Sequence, residues 1–353
     1  MTHPLLDYAA SGHVLLGAEA EEIMEELLAG RLETPEIVQL LTALNARPYR
    51  TEELAGFART MRRYATRVFA NGEALPERMV DTCGTGGDDS GAFNISTAAA
   101  VVASAAGARV AKHGNRAASS KCGSADVLEA LGVRIDLPFE QVGRGIREIG
   151  IGFLFAQAAH TAARHAMPAR KQMGVRTIFN LLGPLTNPAK AQAQVLGVFS
   201  AEVVDLVAET LAELSIEHAF VVHGAGNLDE ISLAGPTIVA EVRRGNFRKY
   251  EVTPETFGKA PAPLRAILGG LPEDNAAIIR SVLGGTIGNE EEKARRDIVV
   301  INASAALVAA GVAEDFQEGA VKAEAAIDTG LAAEKLQDLA RFGRESTNSR
   351  ESC

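Results

Sequence analysis

From residue 79 onward, short apolar segments alternate with longer helical segments, and this alternation limits the folds open to the chain. The apolar segments cover residues 79–83, 109–112, 195–199 and 219–222, and a helix is predicted over residues 201–214. Parallel strands need long crossover connections, so strands separated by helices are typical of a parallel sheet. The sequence therefore predicts an α/β fold with a central, mainly parallel sheet.

The first seventy or so residues show only helical spacing. Ile23 and Leu27 fall on one helix face, and Leu54, Phe57 and Met61 fall on another. We predict a small all-helical domain over residues 1–73 and a large α/β domain over residues 74–353. A turn-dense segment near residues 164–188 is predicted to cross back to the helical part.

Three polar loops follow the predicted strands or open a helix. They are the glycine turn at residues 84–88, the segment 94–97 before an alanine-rich helix, and the loop at residues 112–124. Glycine turns and helix starts present main-chain N–H groups to anions, and ligands of open α/β sheets bind beyond the carboxyl ends of strands. With Lys112 and Arg116, these loops predict a pocket for a heavily phosphorylated small molecule.

Each loop also has a plainer interpretation. The glycine turn lacks the Gly-Lys-Ser/Thr ending of a Walker loop and the spacing of a dinucleotide fingerprint, so alone it fits a tight turn equally well. One of Asn94, Ser96 and Thr97 could simply cap a helix. Two cations in a loop could be solvated. The concentration of donors in all three loops favours phosphate binding.

Asp229 and Glu230 follow a predicted strand and a Gly-Ala-Gly turn. Adjacent carboxylates repel each other, and Mg²⁺ takes oxygen ligands and commonly bridges carboxylates to substrate phosphates. The alternative is a pair of exposed acids on a turn. Beside a pocket of the pyrophosphate type, Mg²⁺ binding is the favoured interpretation.

Composition excludes several classes of protein. The formal net charge of −10 argues against a general nucleic-acid surface, although a local pocket can still be positive. No apolar run approaches the roughly 20 residues of a membrane span. The three cysteines lack the spacing of a metal site or a disulfide framework. These observations predict a cytoplasmic protein without a nucleic-acid or membrane partner.

Residues 81–132, together with residues 176–185, resemble the anthranilate phosphoribosyltransferases of tryptophan biosynthesis, and the resemblance extends over nearly the whole chain. It implies a small helical domain and a large α/β domain with the active site between them, usually in a homodimer. It also implies a Mg²⁺-dependent glycosyltransferase. The implied reaction transfers the phosphoribosyl group of 5-phosphoribosyl 1-pyrophosphate to the amine of anthranilate and releases pyrophosphate.

The resemblance also implies roles for individual residues. Asn115 and Arg170 would face anthranilate, with Arg170 pairing with its carboxylate. Ser96, Asp229 and Glu230 would hold up to two Mg²⁺ ions. No side chain is predicted as the catalytic group, because Lys112 and the metal would stabilise the leaving pyrophosphate. The residues expected to bind the sugar pyrophosphate are Gly84, Gly87, Asp88, Asn94, Ile95, Ser96, Thr97, Lys112, His113, Gly114, Asn115, Arg116, Ala117, Ala118, Ser119, Ser120 and Ser124.

Two positions depart from the family pattern. Ala92 stands where a threonine is usual, and residues 159–161 read Ala-His-Thr where many members have His-His-Pro. The second departure borders the expected anthranilate entrance. Two other functions remain as alternatives: a pyrimidine-nucleoside phosphorylase, which shares this fold, and a fold relative that binds nucleic acid.

Overall fold

The computed structural model describes residues 3–117 and 120–351, with side chains as far as Ser346. Within that part of the chain, seven strands form one sheet in the order β3-β2-β1-β4-β5-β6-β7. The strands are β1 Val80–Asp81, β2 Val110–Gly114, β3 Ile151–Phe155, β4 Ala193–Gly197, β5 His218–Gly224, β6 Thr237–Arg243 and β7 Asn246–Val252.

The five strands β3, β2, β1, β4 and β5 are parallel, which confirms the predicted α/β fold. Strands β6 and β7 add an antiparallel hairpin at one edge. Its two-residue loop, Arg244-Gly245, has positive φ angles of 46° and 84°. Two left-handed residues in a row are typical of a type I′ turn, whose twist matches that of the flanking strands.

Glu241 on β6 is almost fully buried beside this hairpin. Burial alone would raise the pKa of Glu241. Hydrogen bonds from His218, Arg248 and Tyr250 outweigh that effect and hold the pKa well below its usual range. The ionised carboxylate therefore contributes to the stability of the fold.

The chain begins with four helices, as the apolar spacing predicts: α1 Pro4–Ala10, α2 Gly17–Leu28, α3 Thr34–Asn45 and α4 Thr51–Tyr64. Helices α2 and α4 approach closely at Gly56. A Cβ at this position would lie 2.5 Å from the Gly17 carbonyl oxygen and 2.8 Å from the Ala20 Cβ. This crossing therefore requires a glycine.

The remaining helices surround the sheet. The α-helices are α5 Ile95–Ala105, α6 Ser124–Ala130, α7 Phe139–Glu148, α8 Ala156–Ala159, α9 Met167–Met173, α10 Phe179–Leu182, α11 Val204–Glu213, α12 Pro272–Leu283, α13 Glu290–Ala309, α14 Phe316–Asp328 and α15 Leu331–Glu351. Short 3-10 helices cover Thr161–Ala166, Pro184–Thr186, Ala201–Val203, Pro254–Phe257 and Leu264–Ile267. Among the described helices, none combines the length and apolar character that a membrane span would need.

Apolar cores lie on both faces of the sheet. On one face, α5 and α13 pack against residues of β2, β4 and β5. On the other face, Ile23 and Leu27 of α2 share a core with Val221 of β5 and with Ala169 and Ile178 of the segment 164–188. This core therefore joins the N-terminal helices to the sheet, to α11 and to the segment 164–188, while the domain boundary at residues 73 and 74 stays a prediction.

Candidate active site

Glycines let three segments meet at the carboxyl ends of the parallel strands. Thr85 in the turn after β1 donates its N–H to the carbonyl of Gly197, the last residue of β4, at 2.9 Å. A Cβ on Gly197 would lie only 1.5 Å from the backbone oxygen of Asp229, and one on Gly84 would lie 3.0 Å from Oδ2 of Asp229. The acidic loop after β5 can therefore lie against β4 and the glycine turn only because these residues lack side chains.

The two carboxylates predicted to bind metal connect the glycine turn to the start of α5. Asp229 Oδ2 accepts a hydrogen bond from Gly86 N at 2.8 Å, and Glu230 Oε1 accepts one from Ser96 N, at the start of α5, at 3.1 Å. Asp88 joins the same cluster, because its Oδ2 accepts a hydrogen bond from Asp229 N at 3.2 Å. The structure thus brings the glycine turn, the start of α5 and the acidic pair together.

The acidic cluster has the electrostatics of a cation site. Burial raises the pKa of Asp229 to about 7, and the nearby carboxylate of Asp88 adds to the shift. Burial and the charge of Asp229 raise the pKa of Glu230 well above its usual value. A divalent cation would relieve this repulsion, and carboxylate oxygens beside the Ser96 hydroxyl are suitable ligands for Mg²⁺.

Lys112 lies beneath the start of α5. Its side chain on β2 is buried, and Nζ donates to Thr82 O at 3.2 Å, Thr82 Oγ1 at 3.1 Å and Ser96 Oγ at 3.3 Å. This places a positive charge next to the positive end of the α5 dipole. Both features attract anions.

The loop after β2 is held by the first turn of α6. Asp126 accepts hydrogen bonds from Ala117 N and Gly123 N, both at 2.9 Å. Arg116 points toward α6, where it pairs with Asp126 at 2.9 Å and Glu129 at 2.5 Å. In this arrangement Arg116 contacts acidic side chains, so its guanidinium would have to turn to reach a phosphate.

The other residues of this loop lie on its accessible side or at its base. Asn115 is exposed, and its Oδ1 accepts a hydrogen bond from Gln157 Nε2 at 3.3 Å. Ser120 is also exposed, and Ser124 is the first residue of α6, next to Gly114. The predictions for Ala118 and Ser119 fall outside the described residues.

His113 faces the opposite side of the sheet from Lys112. Its ring is buried, with its centroid 5.3 Å from that of His160. Burial lowers the pKa of His113 to about 3 and that of His160 to about 4, so both rings are neutral. A phosphate contact by His113 would therefore have to involve its backbone, whose N–H already donates to Asp81 Oδ1 at 3.0 Å.

Asp81, Cys83 and His113 place ligand atoms within 4.8 Å of one another, but their chemistry is poor for a metal. Both oxygens of Asp81 already accept hydrogen bonds, from His113 N and, at 2.7 Å, from Asn187 Nδ2. Burial raises the pKa of Cys83, so its thiol stays protonated, whereas metals bind the thiolate. This group is better explained as part of the core.

Asn94, at the N-cap of α5, is fixed by a contact that sequence reasoning missed. Its Nδ2 donates to Cys122 O at 3.2 Å, and its Oδ1 accepts from Asn275 Nδ2 at 2.9 Å. Asn275 lies on α12, 181 residues away, so no local spacing could have indicated it. Ile95 and Thr97 follow in the first turn of α5 with their side chains buried in the core, which leaves only their backbone for ligand contacts.

Arg170 on α9 is a half-buried cation with an aromatic neighbour. Its guanidinium carbon lies 5.3 Å from the ring centroid of Phe179, and Nη1 lies 3.9 Å from Met167 Sδ. Burial lowers the pKa of Arg170. Among the described residues, no carboxylate forms an ion pair with it. Its charge is therefore available to a carboxylate supplied by a ligand.

The remaining predicted positions lie close by. Gly87 contacts the crossing segment, because its carbonyl accepts a hydrogen bond from Arg176 Nη2. Ala92 forms an isolated bridge with Leu268. Ala159 is buried, and its carbonyl accepts a hydrogen bond from Thr66 N at 2.9 Å. The effect of these two departures on substrate preference stays a prediction.

Two family models match the chain: the glycosyl transferase family, helical bundle domain, over residues 3–65, and the glycosyl transferase family, a/b domain, over residues 76–333. The anthranilate phosphoribosyltransferase of Desulfatibacillum aliphaticivorans is 48% identical over 346 residues, covering 98% of this chain and 100% of that protein. The crystal structure of anthranilate phosphoribosyltransferase from Thermus thermophilus has a TM-score of 0.90 and 45% identity, covering 97% of this chain and 100% of that one. The Saccharomyces cerevisiae enzyme in complex with PRPP and Mg has a TM-score of 0.84 and 27% identity, covering 94% of both chains.

Proposed function

Because this chain belongs to the family of anthranilate phosphoribosyltransferases, we propose that the cluster at the strand ends carries out that family's reaction. The enzyme transfers the phosphoribosyl group of 5-phosphoribosyl 1-pyrophosphate to the amine of anthranilate, giving N-(5-phosphoribosyl)anthranilate and pyrophosphate in tryptophan biosynthesis. The observation that carries the proposal is the meeting of the glycine turn, the start of α5 and the acidic pair. The backbone N–H of Gly86 donates a hydrogen bond to the Asp229 carboxylate, and that of Ser96 donates one to the Glu230 carboxylate.

The sugar pyrophosphate would occupy the space between the glycine turn and the loop after β2. Gly84 and Gly87 would provide backbone N–H groups, the start of α5 would provide the positive end of its dipole, and Lys112 would provide a buried positive charge. Donors arranged in advance stabilise negative charge without reorganising, which favours departure of pyrophosphate. A further contact supports this assignment: Asn275 Nδ2 donates a hydrogen bond to Asn94 Oδ1 and so holds Asn94 at the N-cap of α5.

The enzyme depends on Mg²⁺, and a solved relative contains Mg together with PRPP. We propose that Asp229, Glu230 and the Ser96 hydroxyl hold the metal, with two ions per site. When bound, Mg²⁺ would neutralise charge on the pyrophosphate. Asp88 hydrogen-bonds the backbone of Asp229 and adds to the local negative charge that attracts the cation.

Anthranilate would bind between the sugar pyrophosphate and α9. Arg170 would pair with its carboxylate, and Asn115 would contact the same ligand from the loop after β2. The anthranilate amine is a neutral nucleophile, so the chain need not supply a strong base at the start. The main contribution of these residues would then be to hold the amine in line with the sugar carbon. Such positioning can by itself give a large rate enhancement.

Three further assignments complete the proposal. The helical domain would comprise residues 1–73, with the site between it and the large domain. The enzyme would act as a homodimer, as the family resemblance implies. It would be cytoplasmic, since both described cysteines, Cys83 and Cys122, are free thiols of the kind common in reducing compartments.

The test is the loss of anthranilate fluorescence on addition of 5-phosphoribosyl 1-pyrophosphate, with and without Mg²⁺. Metal-dependent loss is expected. No loss with folded protein would contradict the proposal and would favour phosphorolysis, which can be measured directly with a pyrimidine nucleoside and phosphate. Retention on heparin at moderate salt would instead favour a nucleic-acid binder.

A further inference from the structure

Asn302 is a buried amide side chain on the long helix α13. It lies in the second half of α13. From Ala294 to Ala309, every residue of this helix except Arg295 is buried. Asparagine is a weak helix former, and a buried amide destabilises a protein unless its hydrogen bonds are satisfied. Something must therefore offset the cost of an asparagine at this position.

The side chain of Asn302 binds one residue outside its helix through both of that residue's backbone groups. Its Oδ1 accepts from Ile231 N at 2.9 Å, and its Nδ2 donates to Ile231 O at 3.0 Å. Nδ2 also donates to Ile298 O at 2.9 Å within α13. Only an amide offers a donor and an acceptor in this side-by-side arrangement. Aspartate lacks the donor, and leucine lacks both.

Ile231 directly follows the two carboxylates proposed to hold Mg²⁺. On the other side of that pair, Leu228 exchanges two backbone hydrogen bonds with Gly224, at 2.8 and 3.1 Å. The backbone of Asp229 and Glu230 is thus fixed at both ends, by β5 on one side and by Asn302 on the other. Their side chains remain only half-buried and accept hydrogen bonds from other segments.

We infer that Asn302 is a positioning residue for the metal-binding pair: it fixes Ile231 and thereby holds the carboxylates of Asp229 and Glu230 where they can bind Mg²⁺. Asn302 itself touches neither substrate nor metal. This inference rests on the proposed function, because it takes Asp229 and Glu230 as the metal ligands.

The test compares Asn302→Ala with Ser304→Ala. Ser304 is a matched control, since it is buried on the same helix and its hydroxyl donates to Phe316 O at 2.7 Å, away from the site. Both variants should lower the Tm, because each leaves a buried backbone group unpaired. Only Asn302→Ala should weaken Mn²⁺ binding, measured by electron paramagnetic resonance in the presence of pyrophosphate. Loss of an outer-shell partner typically weakens metal affinity by about 10- to 100-fold.

Kinetics provides a second readout. The Mg²⁺ concentration for half-maximal activity should rise in Asn302→Ala, while the KM for anthranilate stays within about twofold of the wild type. Should Asn302→Ala fail to fold, Asn302→Asp keeps the side-chain shape and removes the two donated hydrogen bonds. It should show the same selective loss of Mn²⁺ affinity.

Equal Mn²⁺ affinity in the wild type and in a folded Asn302 variant would overturn the inference and leave Asn302 with a structural role only. So would an equal loss of Mn²⁺ affinity in Ser304→Ala. A different result would contradict the proposed function itself: a wild-type protein that neither binds Mn²⁺ in the presence of pyrophosphate nor consumes anthranilate.

Discussion

Replacing Arg170 with alanine tests the proposed anthranilate site most directly. The Arg170 side chain has no carboxylate partner among the described residues, and burial lowers its pKa. Removing it therefore breaks no ion pair within the part of the chain that the structure describes. The substitution chiefly removes the cation–π interaction with the Phe179 ring at 5.3 Å, which contributes about 0.5–1 kcal/mol. We expect a correspondingly small change in stability.

The effect of Arg170→Ala on anthranilate binding should be larger than its effect on stability. Hydrogen bonds to charged groups contribute about 1.5–3 kcal/mol, and each 1.4 kcal/mol corresponds to about tenfold in affinity. Arg170→Ala should therefore raise the KM for anthranilate by about 10- to 150-fold. The KM for 5-phosphoribosyl 1-pyrophosphate should change little, because that ligand is proposed to bind the glycine turn and Lys112.

Anthranilate fluorescence provides the assay, and two comparisons sharpen it. Lys171→Ala removes an exposed cation from the same helix and should leave both KM values near those of the wild type. Anthranilamide carries an uncharged amide in place of the carboxylate, so the wild type should use it poorly. Arg170→Ala should discriminate much less between the acid and the amide. Equal rises in both KM values, or undiminished discrimination, would refute the placement of the carboxylate at Arg170.

Three further predictions concern the acidic pair, a glycine beside it and a buried carboxylate of the sheet. The double variant Asp229→Asn plus Glu230→Gln should reduce turnover and make activity less dependent on the Mg²⁺ concentration. An unchanged dependence on Mg²⁺ would contradict the assignment of these two residues as metal ligands. Gly197→Ala should sharply reduce activity, since its Cβ would lie 1.5 Å from the Asp229 backbone oxygen, whereas Gly183→Ala, with no atom within 4 Å of its Cβ, should be tolerated in the same assay. Because the folded pKa of Glu241 is lowered, its stabilising contribution is present above the unfolded value of about 4.3 and is lost as the pH falls below it. Urea unfolding at several pH values should show a weaker loss of stability in acid for Glu241→Gln than for the wild type.

The fold was predictable where the pattern is local. The alternation after residue 79 indicates the parallel sheet, and β1, β2, β4 and β5 all overlap predicted strands. The alternation did not indicate β3 or the hairpin of β6 and β7. The surface strand β7 is largely polar, and apolar periodicity fails for such a strand. The predicted helix over residues 201–214 begins as a 3-10 turn and becomes α-helical at Val204.

The candidate site was predictable as a set of loops but not as a set of contacts. Glycine turns and strand ends are visible in the sequence, so the proximity of the glycine turn to Asp229 could be expected. The direction of a side chain depends on packing. Arg116 turns toward α6, and His113 points into the core. The roles of Asn275 and Asn302 depend on partners that lie far away in the chain, 181 and 71 residues respectively.

The acidic pair meets its two amide partners across long stretches of chain: 143 residues separate Gly86 from Asp229, and 134 separate Ser96 from Glu230. Contacts between distant residues form late in folding, because closing a long loop costs entropy that is recovered only once the intervening chain is ordered. A nascent or partly folded chain therefore contains the residues of the site without the site. Recovery of catalysis on refolding would therefore report that β1, β4, β5 and α5 have come together.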